Sequence, residues 1–405
     1  RGLISYNNNK LENHAFSLVV GTELSGSKSY NNYHRSPEFN DYYRFIAFPD
    51  FPSDDISYND IKNSLSGLIG TAEAQDRSAS FFGALTYTLC DKYVFNLNAR
   101  FDGADIIGTD NRFTPLWSAS FRWNAMRENF LKDVNFISDL AIRLSYGYTG
   151  NIDRSSYPIP MIFLSGYRYD ENFVAESVTF PNPNIKWERK QDRNFGLDFG
   201  FWDNRIGGSF NYYWNTGKDL LGTMTTPESY GRTSIKANVS SIENTGWEFN
   251  VNLRLDLGAN VRWINSFNIA QNTNKIKKTY LKDLNELNVM GGSDNIEGYA
   301  SGSMFGYRFA GVNPLTGQAM IYLTDESRKI LADYRGVDIS QVADKIDTEE
   351  IDYNIREELL RASMEKLGSV TPKVTGGFSS TLTWKKLEVR ASFAYSAGHL
   401  LETFN

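Results

Sequence analysis

The sequence predicts an all-β fold, a transmembrane antiparallel β-barrel, and three observations predict it. Apolar and polar residues alternate at period two in one segment after another. The connections between these segments alternate short and long. The face opposite the apolar one is too polar to be a dry core.

The alternation is clearest where Tyr93, Phe95, Leu97, Ala99 and Phe101 fall on one side and Lys92, Asn96, Asn98 and Arg100 on the other. Successive side chains of a strand point to opposite faces, so such a segment has one greasy face and one wet face. Before it, Phe81, Leu85, Tyr87 and Leu89 repeat the pattern, and after it Phe113, Trp117, Ala119, Phe121 and Trp123 face away from Ser118, Ser120 and Arg122. Leu140, Ile142, Leu144, Tyr146 and Tyr148 then oppose Arg143 and Ser145. The scheme continues through Phe195–Phe201, Ile206–Trp214, Trp247–Leu255, Val261–Ile269, Val374–Trp384 and Leu387–Tyr395. That makes ten strands of roughly nine to thirteen residues, long for a globular sheet and suited to a tilted membrane strand. A weaker strand lies in HAFSLVVGTEL, and SMFGYRF with QAMIYL reads as a hairpin around GVNPLTGQ.

The connections carry the second signal. Turns are tight at Cys90–Asp91, Asp203–Asn204, Gly258–Asn260 and Lys385–Lys386, and intermediate, with room for one helical turn, at 124–138. Large polar excursions are expected at 149–192, 215–244 and 272–372, with a shorter one at 102–112. Short turns gather at one end of the strands and long loops at the other, as in an outer-membrane barrel with tight periplasmic turns and long extracellular loops. A β-sandwich has no reason to keep that parity. The opposite face, with Arg100, Arg122, Arg143, Asp198 and Arg254, suits a watery or plugged lumen, since burying such charges unpaired costs several kcal/mol each.

Composition agrees. The 405 residues include 23 tyrosines and 27 phenylalanines, and the length exceeds an ordinary domain unless it forms a large barrel. A mean hydropathy of −0.43 would ordinarily indicate a soluble protein, but barrel strands place a polar residue at every second position. No apolar run is long enough for a membrane-spanning helix. The net charge of −6, with no basic stripe, argues against nucleic acid. The lone Cys90 excludes an intrachain disulfide framework, and His14, His34 and His399 lack ligand spacing. No signal peptide is visible, and an opening at RGLISY without methionine suggests a piece of a longer polypeptide.

No catalytic constellation emerges, so no enzyme is expected. NTGKDL lacks the upstream glycine of a phosphate loop, and Asp54–Asp55 and Glu349–Glu350 read as solvated charges. No metal or other cofactor is expected. The one alternative is a structural calcium at Asp102, Asp105 and Asp110, whose spacing matches no EF-hand. The stretch SGYRYDENF offers Tyr167, Arg168, Tyr169, Asp170 and Phe173 as candidate substrate contacts, with Tyr230 in SYGRTS a weaker one. Aromatic rings stack on the CH faces of sugars while polar neighbours take the hydroxyls; the plain alternative is that these rings pack the loop. The lumen-facing candidates are Lys92, Asn96, Asn98, Arg100, Arg122 and Arg143. Ile339, Val342, Ile346, Ile351, Ile355, Leu359 and Leu367 recur at helical spacing, which predicts one or two amphipathic helices within 339–367.

Several stretches resemble the SusC/RagA-type TonB-dependent outer-membrane transporters. They are DKYVFNLNARFDG with NRFTPLWSASFRWN, LAIRLSYGYTGN, NPNIKWERKQDRNFGLDFGFWDNRI, TGKDLL, NVSSIENTGWEFNVN, GVNPLTGQAMIY and GSVTPKVTGGFSSTLTWKKLEV, in the family's order. After Asp102–Gly103 the family's usual small hydroxyl residues give way to Ala104, Asp105 and Ile106. No stretch resembles the plug or the TonB-binding segment, so residues 1–405 are expected to be part of a barrel of about 22 strands. The resemblance implies import of a large nutrient across the bacterial outer membrane. It also implies a SusD-like surface lipoprotein over the mouth and the TonB–ExbB–ExbD complex acting through the plug. Oligosaccharide is the leading cargo and oligopeptide the second; a non-transporting adhesin or barrel enzyme is the rival.

Overall fold

The computed structural model describes residues 1–11, 13–34, 39–40, 45–46, 69–105, 107, 111–152, 161–169, 172–179, 182, 184–227, 229, 234–258, 260–279, 295–336, 338, 348–350 and 357–400. Twelve strands form one sheet, in chain order from edge to edge. They are β1 (Gly2–Leu11), β2 (His14–His34), β3 (Ile69–Leu89), β4 (Tyr93–Ala104), β5 (Phe113–Asn124) and β6 (Ile137–Asn151). β7 (Glu188–Phe201), β8 (Ile206–Thr225), β9 (Ser234–Gly258), β10 (Val261–Lys278), β11 (Val374–Trp384) and β12 (Leu387–Ala397) complete it. Every neighbouring pair is antiparallel, and the two edge strands are not joined to each other, so the sheet is an open arc of barrel wall.

The ten strands expected from the alternation are all present, and the weaker segment at 14–24 is β2. β1 was not anticipated, because Asn7, Asn8 and Asn9 interrupt its apolar face. The tight turns form by left-handed backbone at non-glycine residues. Cys90 and Asp91 (φ 53° and 56°) sit between Leu89 and Lys92, whose N–H donates to the Leu89 carbonyl at 3.0 Å. Asp203 and Asn204 (φ 55° and 58°) repeat the geometry, with the Arg205 N–H on the Trp202 carbonyl at 3.1 Å. This mirror-image turn matches the twist of paired strands, and Asp and Asn tolerate it better than most residues. The intermediate connection holds one 3₁₀ turn at Ala125–Arg127, as expected.

The long excursions are partly strand. β6 runs to Asn151, β7 starts at Glu188, β8 runs to Thr225, β9 starts at Ser234 and β10 runs to Lys278. The period-two signal stops earlier because apolar residues are sparser in these extensions and the alternation is broken, as at Lys218–Asp219 and Leu220–Leu221. Only the length that meets hydrocarbon needs an apolar side.

A wall one layer thick has no interior of its own. The buried apolar clusters lie at its long-loop end: Ala104, Ile107, Ile185 and Trp187 with Ile152 and Leu221, and Leu323, Leu331, Ala332 and Leu359 with Ile330. The second cluster joins helix α1 (Asp325–Arg335) to α2 (Glu357–Ser363). The Thr324 side chain caps α1 by accepting from the Ser327 N–H at 3.2 Å, and Gly336 (φ 64°) ends it. Helix therefore starts well before the expected 339–367. Within that span Glu365–Ser369, which carries Leu367, is a strand paired with Ser303–Gly306. Residues 339–347 and 351–356 lie outside the described residues. The expected hairpin exists as Phe309–Val312 with Ala319–Tyr322, whereas Ser303–Gly306 pairs elsewhere.

Candidate functional site: the polar inner face and the long-loop rim

The strand registers sort the wall into two faces. One row runs Tyr87, Phe95, Phe121, Leu144, Phe195, Tyr212 and Trp247 across β3 to β9. Phe95 and Phe121 pack with centroids 5.0 Å apart, and Leu144 is 47% exposed. On β10 the same row reaches Gln271, while on β3 and β4 apolar residues continue above it through Leu85, Leu97, Phe81 and Phe101. The apolar band thus steps down the strands from β3 to β10. A band level with a membrane does this when the strands are tilted. Large exposed side chains on one continuous face are expensive in water and favourable against lipid.

The opposite face is a hydrogen-bonded ladder. Thr86 donates to Asn96 at 2.8 Å, Asn96 to Ser120 at 3.2 Å, Asn98 to Ser118 at 3.2 Å and Asn194 to Ser145 at 3.3 Å. Arg122 and Arg143 share the Asp198 carboxylate, at 3.0 and 2.7 Å, and Arg143 also donates to Asn211 at 3.0 Å. Arg100 donates to Asp102 and, at 2.9 Å, to Ser80. Tyr213 lies over Gly246, where a Cβ would sit 2.5 Å from its hydroxyl, and donates to Asn272 at 3.0 Å. Asn96, Asn98, Arg100, Arg122 and Arg143 are therefore neighbours on one polar face. Asn211, on the polar side of its strand by the same alternation, and Tyr213 complete it.

Lys92 stands apart from this ladder, in the turn that leads into β4. Its ammonium donates to Glu128 at 2.8 Å, where Tyr93 Oη (2.6 Å) and Trp123 Nε1 (3.2 Å) also converge. The hydrogen bonds from Lys92 and then Tyr93 hold the Glu128 carboxyl down at about 2, and the same bond raises the Lys92 pKa. This latch ties the turn after β3 to the connection after β5 at the short-turn rim.

At the other rim, Tyr167, Arg168, Tyr169 and Phe173 lie on a separate hairpin, Met161–Tyr169 with Asn172–Thr179, in which Arg168 opposes Phe173 and Tyr169 opposes Asn172. Asp170, Tyr230 and Asp110 lie outside the described residues. Asp102 is taken by Arg100, and no group of His, Cys, Asp or Glu among the described residues could hold a metal ion. Sequence reasoning missed a cavity of about 560 Å³ at the upper end of β10, bordered by Asn274, Tyr299, Ser301, Lys366, Lys373 and His399. Tyr299 packs edge-on to Phe305 at 5.0 Å, Lys366 lies 5.3 Å over its ring, and Asn274 accepts from the Ser301 N–H at 2.8 Å. Its residues come from separate stretches of chain, so no local motif could reveal it.

A tilted antiparallel wall, greasy on one face, charged on the other and long-looped at one end, is that of an outer-membrane β-barrel. Residues 2–347 match the family described as TonB dependent receptor-like, beta-barrel. The chain belongs to that family and resides in the bacterial outer membrane. It is 30% identical over 372 residues to a TonB-dependent receptor of Formosa agariphila, covering 87% of this chain and 35% of that one. It is 35% identical over 207 residues to the TonB-dependent receptor SusC of Bacteroides thetaiotaomicron, covering 49% and 21%. The RagAB peptide transporter structure superposes with a TM-score of 0.77 at 24% identity, over 98% of this chain and 40% of that one. The chain thus spans about a third or less of the curated relatives' length. The family is not one of enzymes.

Proposed function

We propose that this wall belongs to a TonB-dependent importer of a large nutrient, with oligosaccharide as the cargo. The long-loop rim faces outward under this reading, and a SusD-like surface lipoprotein closes over it. The TonB–ExbB–ExbD complex supplies the energy from the periplasmic side. The reading needs no cofactor. The observation that carries it is the charged, hydrogen-bonded inner face, in which Asp198 takes both Arg122 and Arg143. Such a face suits a hydrated path or a polar plug, whereas a barrel serving only as an anchor has no need of it.

Tyr167, Arg168, Tyr169, Asp170, Phe173 and Tyr230 are the proposed cargo contacts, together with Tyr299 and Lys366 in the rim cavity. Oligopeptide is the second reading, favoured by the likeness to the RagAB peptide transporter. The experiment is uptake of labelled oligosaccharides and oligopeptides by cells with and without the protein, each with and without an uncoupler. Uncoupler-sensitive glycan uptake that needs the protein is expected. Peptide uptake alone would establish the second reading, and energy-independent binding of cells to surfaces would make the protein an adhesin.

A further inference from the structure

Arg193 lies on the greasy face of β7, in the same parity as Phe195, Leu197, Phe199 and Phe201. Its register partner on β6 is Tyr146, and its guanidinium lies 4.5 Å over the Trp214 ring. Trp117 packs on Tyr146 and Tyr148 at 5.5 and 5.8 Å. These rings border the apolar band on its long-loop side, where interfacial aromatics anchor a barrel. An arginine at that height reaches the headgroup level with its charge while its stem stays in hydrocarbon.

Beyond the Trp214 ring, its charge meets no carboxylate among the described residues. Arg189 pairs with Asp219 at 2.6 Å and Lys190 with Asp192 at 2.6 Å, but Arg193 is in no ion pair among the described residues. Its Nη2 donates to Gln191 Oε1 at 2.9 Å, and Gln191 in turn donates to Tyr148 at 3.1 Å. That network fixes the guanidinium in place and leaves its other donors open. Lys218, exposed and opposite Arg189 in the register, stands two rows higher on the same face, about 14 Å along the strand. Directly below Arg193 is a groove of about 600 Å³, bordered by Leu97, Ala119, Phe121, Leu144 and Phe195. The small Ala119 between these large neighbours makes its depth.

We infer that this outward patch seats a phosphorylated glycolipid of the outer leaflet, with an acyl chain in the groove and a phosphate on Arg193 below Lys218. Charge decides the occupant: a fixed guanidinium and a second cation above an apolar slot match a phosphate attached to a hydrocarbon chain. A neutral lipid would leave both cations unmatched. The assignment of the leaflet rests on the outward orientation of the long loops proposed above.

The test uses the complete protein purified from outer membranes in mild detergent, with retained lipid counted by native mass spectrometry. Wild type is expected to keep the membrane's phosphorylated glycolipid. Arg193→Gln is expected to retain roughly tenfold less, consistent with the loss of a charge-assisted contact. Ala119→Phe, which fills the groove without touching charge, is expected to lower retention as well. Heat-modifiable migration confirms that each variant is folded. An arm with no variant exchanges the native glycolipid for its enzymatically dephosphorylated form, which wild type should retain no better than Arg193→Gln does. Equal retention of phosphorylated lipid by wild type and Arg193→Gln would overturn the inference. Retention indifferent to the phosphate, or preferential retention of glycerophospholipid, would do the same. Orientation is checked separately by labelling Leu315→Cys, at a site 93% exposed on the long-loop side, with an impermeant maleimide on intact cells. Neither readout depends on import, so failure of the transport reading leaves the lipid result standing.

Discussion

The wall and the segment that caps it at 295–369 are built on opposite principles. In the wall, every strand meets the same two environments, and each residue's surroundings follow from its parity. Leu144 faces lipid and Ser145, its neighbour, joins Asn194 on the wet side. In the cap, α1 and α2 close a small dry core around Leu331 and Leu359, and strand Glu365–Ser369 reaches back to Ser303–Gly306. There the environment of a residue depends on which distant segment lands on it. Stability should be distributed accordingly, through lipid contact and parity in one region and through capping and packing in the other.

The sharpest way to break this contrast is to place one charge on each side of a single strand. Leu144→Arg puts a guanidinium in the middle of the apolar band, and should destabilise the folded barrel by about 2–4 kcal/mol. Ser145→Arg, one residue on, should cost less than about 1 kcal/mol, because this half-buried position lies on the hydrated face and a charge there stays in water. The midpoint of heat-modifiable migration reads both. Equal loss in the two variants would mean that parity does not set the environment and would remove the two-face account.

The cap should respond to its ends. Thr324→Ala removes the side chain that accepts from the Ser327 N–H and should cost about 1 kcal/mol. Gly336→Ala places a Cβ at φ 64° and should cost about as much. Limited proteolysis between residues 325 and 363 should quicken in both variants, with the migration midpoint of the barrel unchanged. A barrel that melts earlier in step with its cap would show that the two regions are one cooperative unit.

The same contrast explains what the sequence disclosed. Strands such as Tyr93–Ala104 and Val261–Lys278 were legible because lipid imposes an apolar residue at every second site. β1 is hidden where asparagines occupy its face, and the extensions Thr216–Thr225 and Ser234–Asn244 read as loop because lipid no longer demands the pattern there. α1 was missed although Thr324, Asp325, Glu326 and Gly336 spell a capped helix, since its apolar residues are few. The inner-face candidates Asn96, Asn98, Arg100, Arg122 and Arg143 followed from parity alone. Their pairing with Asp198 and Asn211 needed the register, and the rim cavity around Tyr299 needed the tertiary fold.

The smallest expected effect concerns the short-turn rim, where the wall borrows a loop residue to hold its turns. Glu128 collects Lys92, Tyr93 and Trp123, and its carboxyl is held at about 2, against an ordinary value of 4.5. A carboxyl whose pKa is depressed in the folded state stabilises that state fully above its unfolded value. The contribution falls away as pH drops from about 4.5 towards 2, where the folded carboxyl takes its proton. Wild type should therefore exceed Glu128→Gln in migration midpoint by a constant small margin from pH 8 to pH 5. The margin should shrink below pH 4.5, be mostly lost by pH 2 and vanish below it. Because the site is only half-buried at the rim, solvent still screens it and keeps the margin small, and added salt should narrow it further. A margin that persists unchanged at pH 2 would show that Glu128 acts by its shape and neutral hydrogen bonds and not by its charge. The rim would then be held like the cap, by packing, and the contrast would end at the membrane surface.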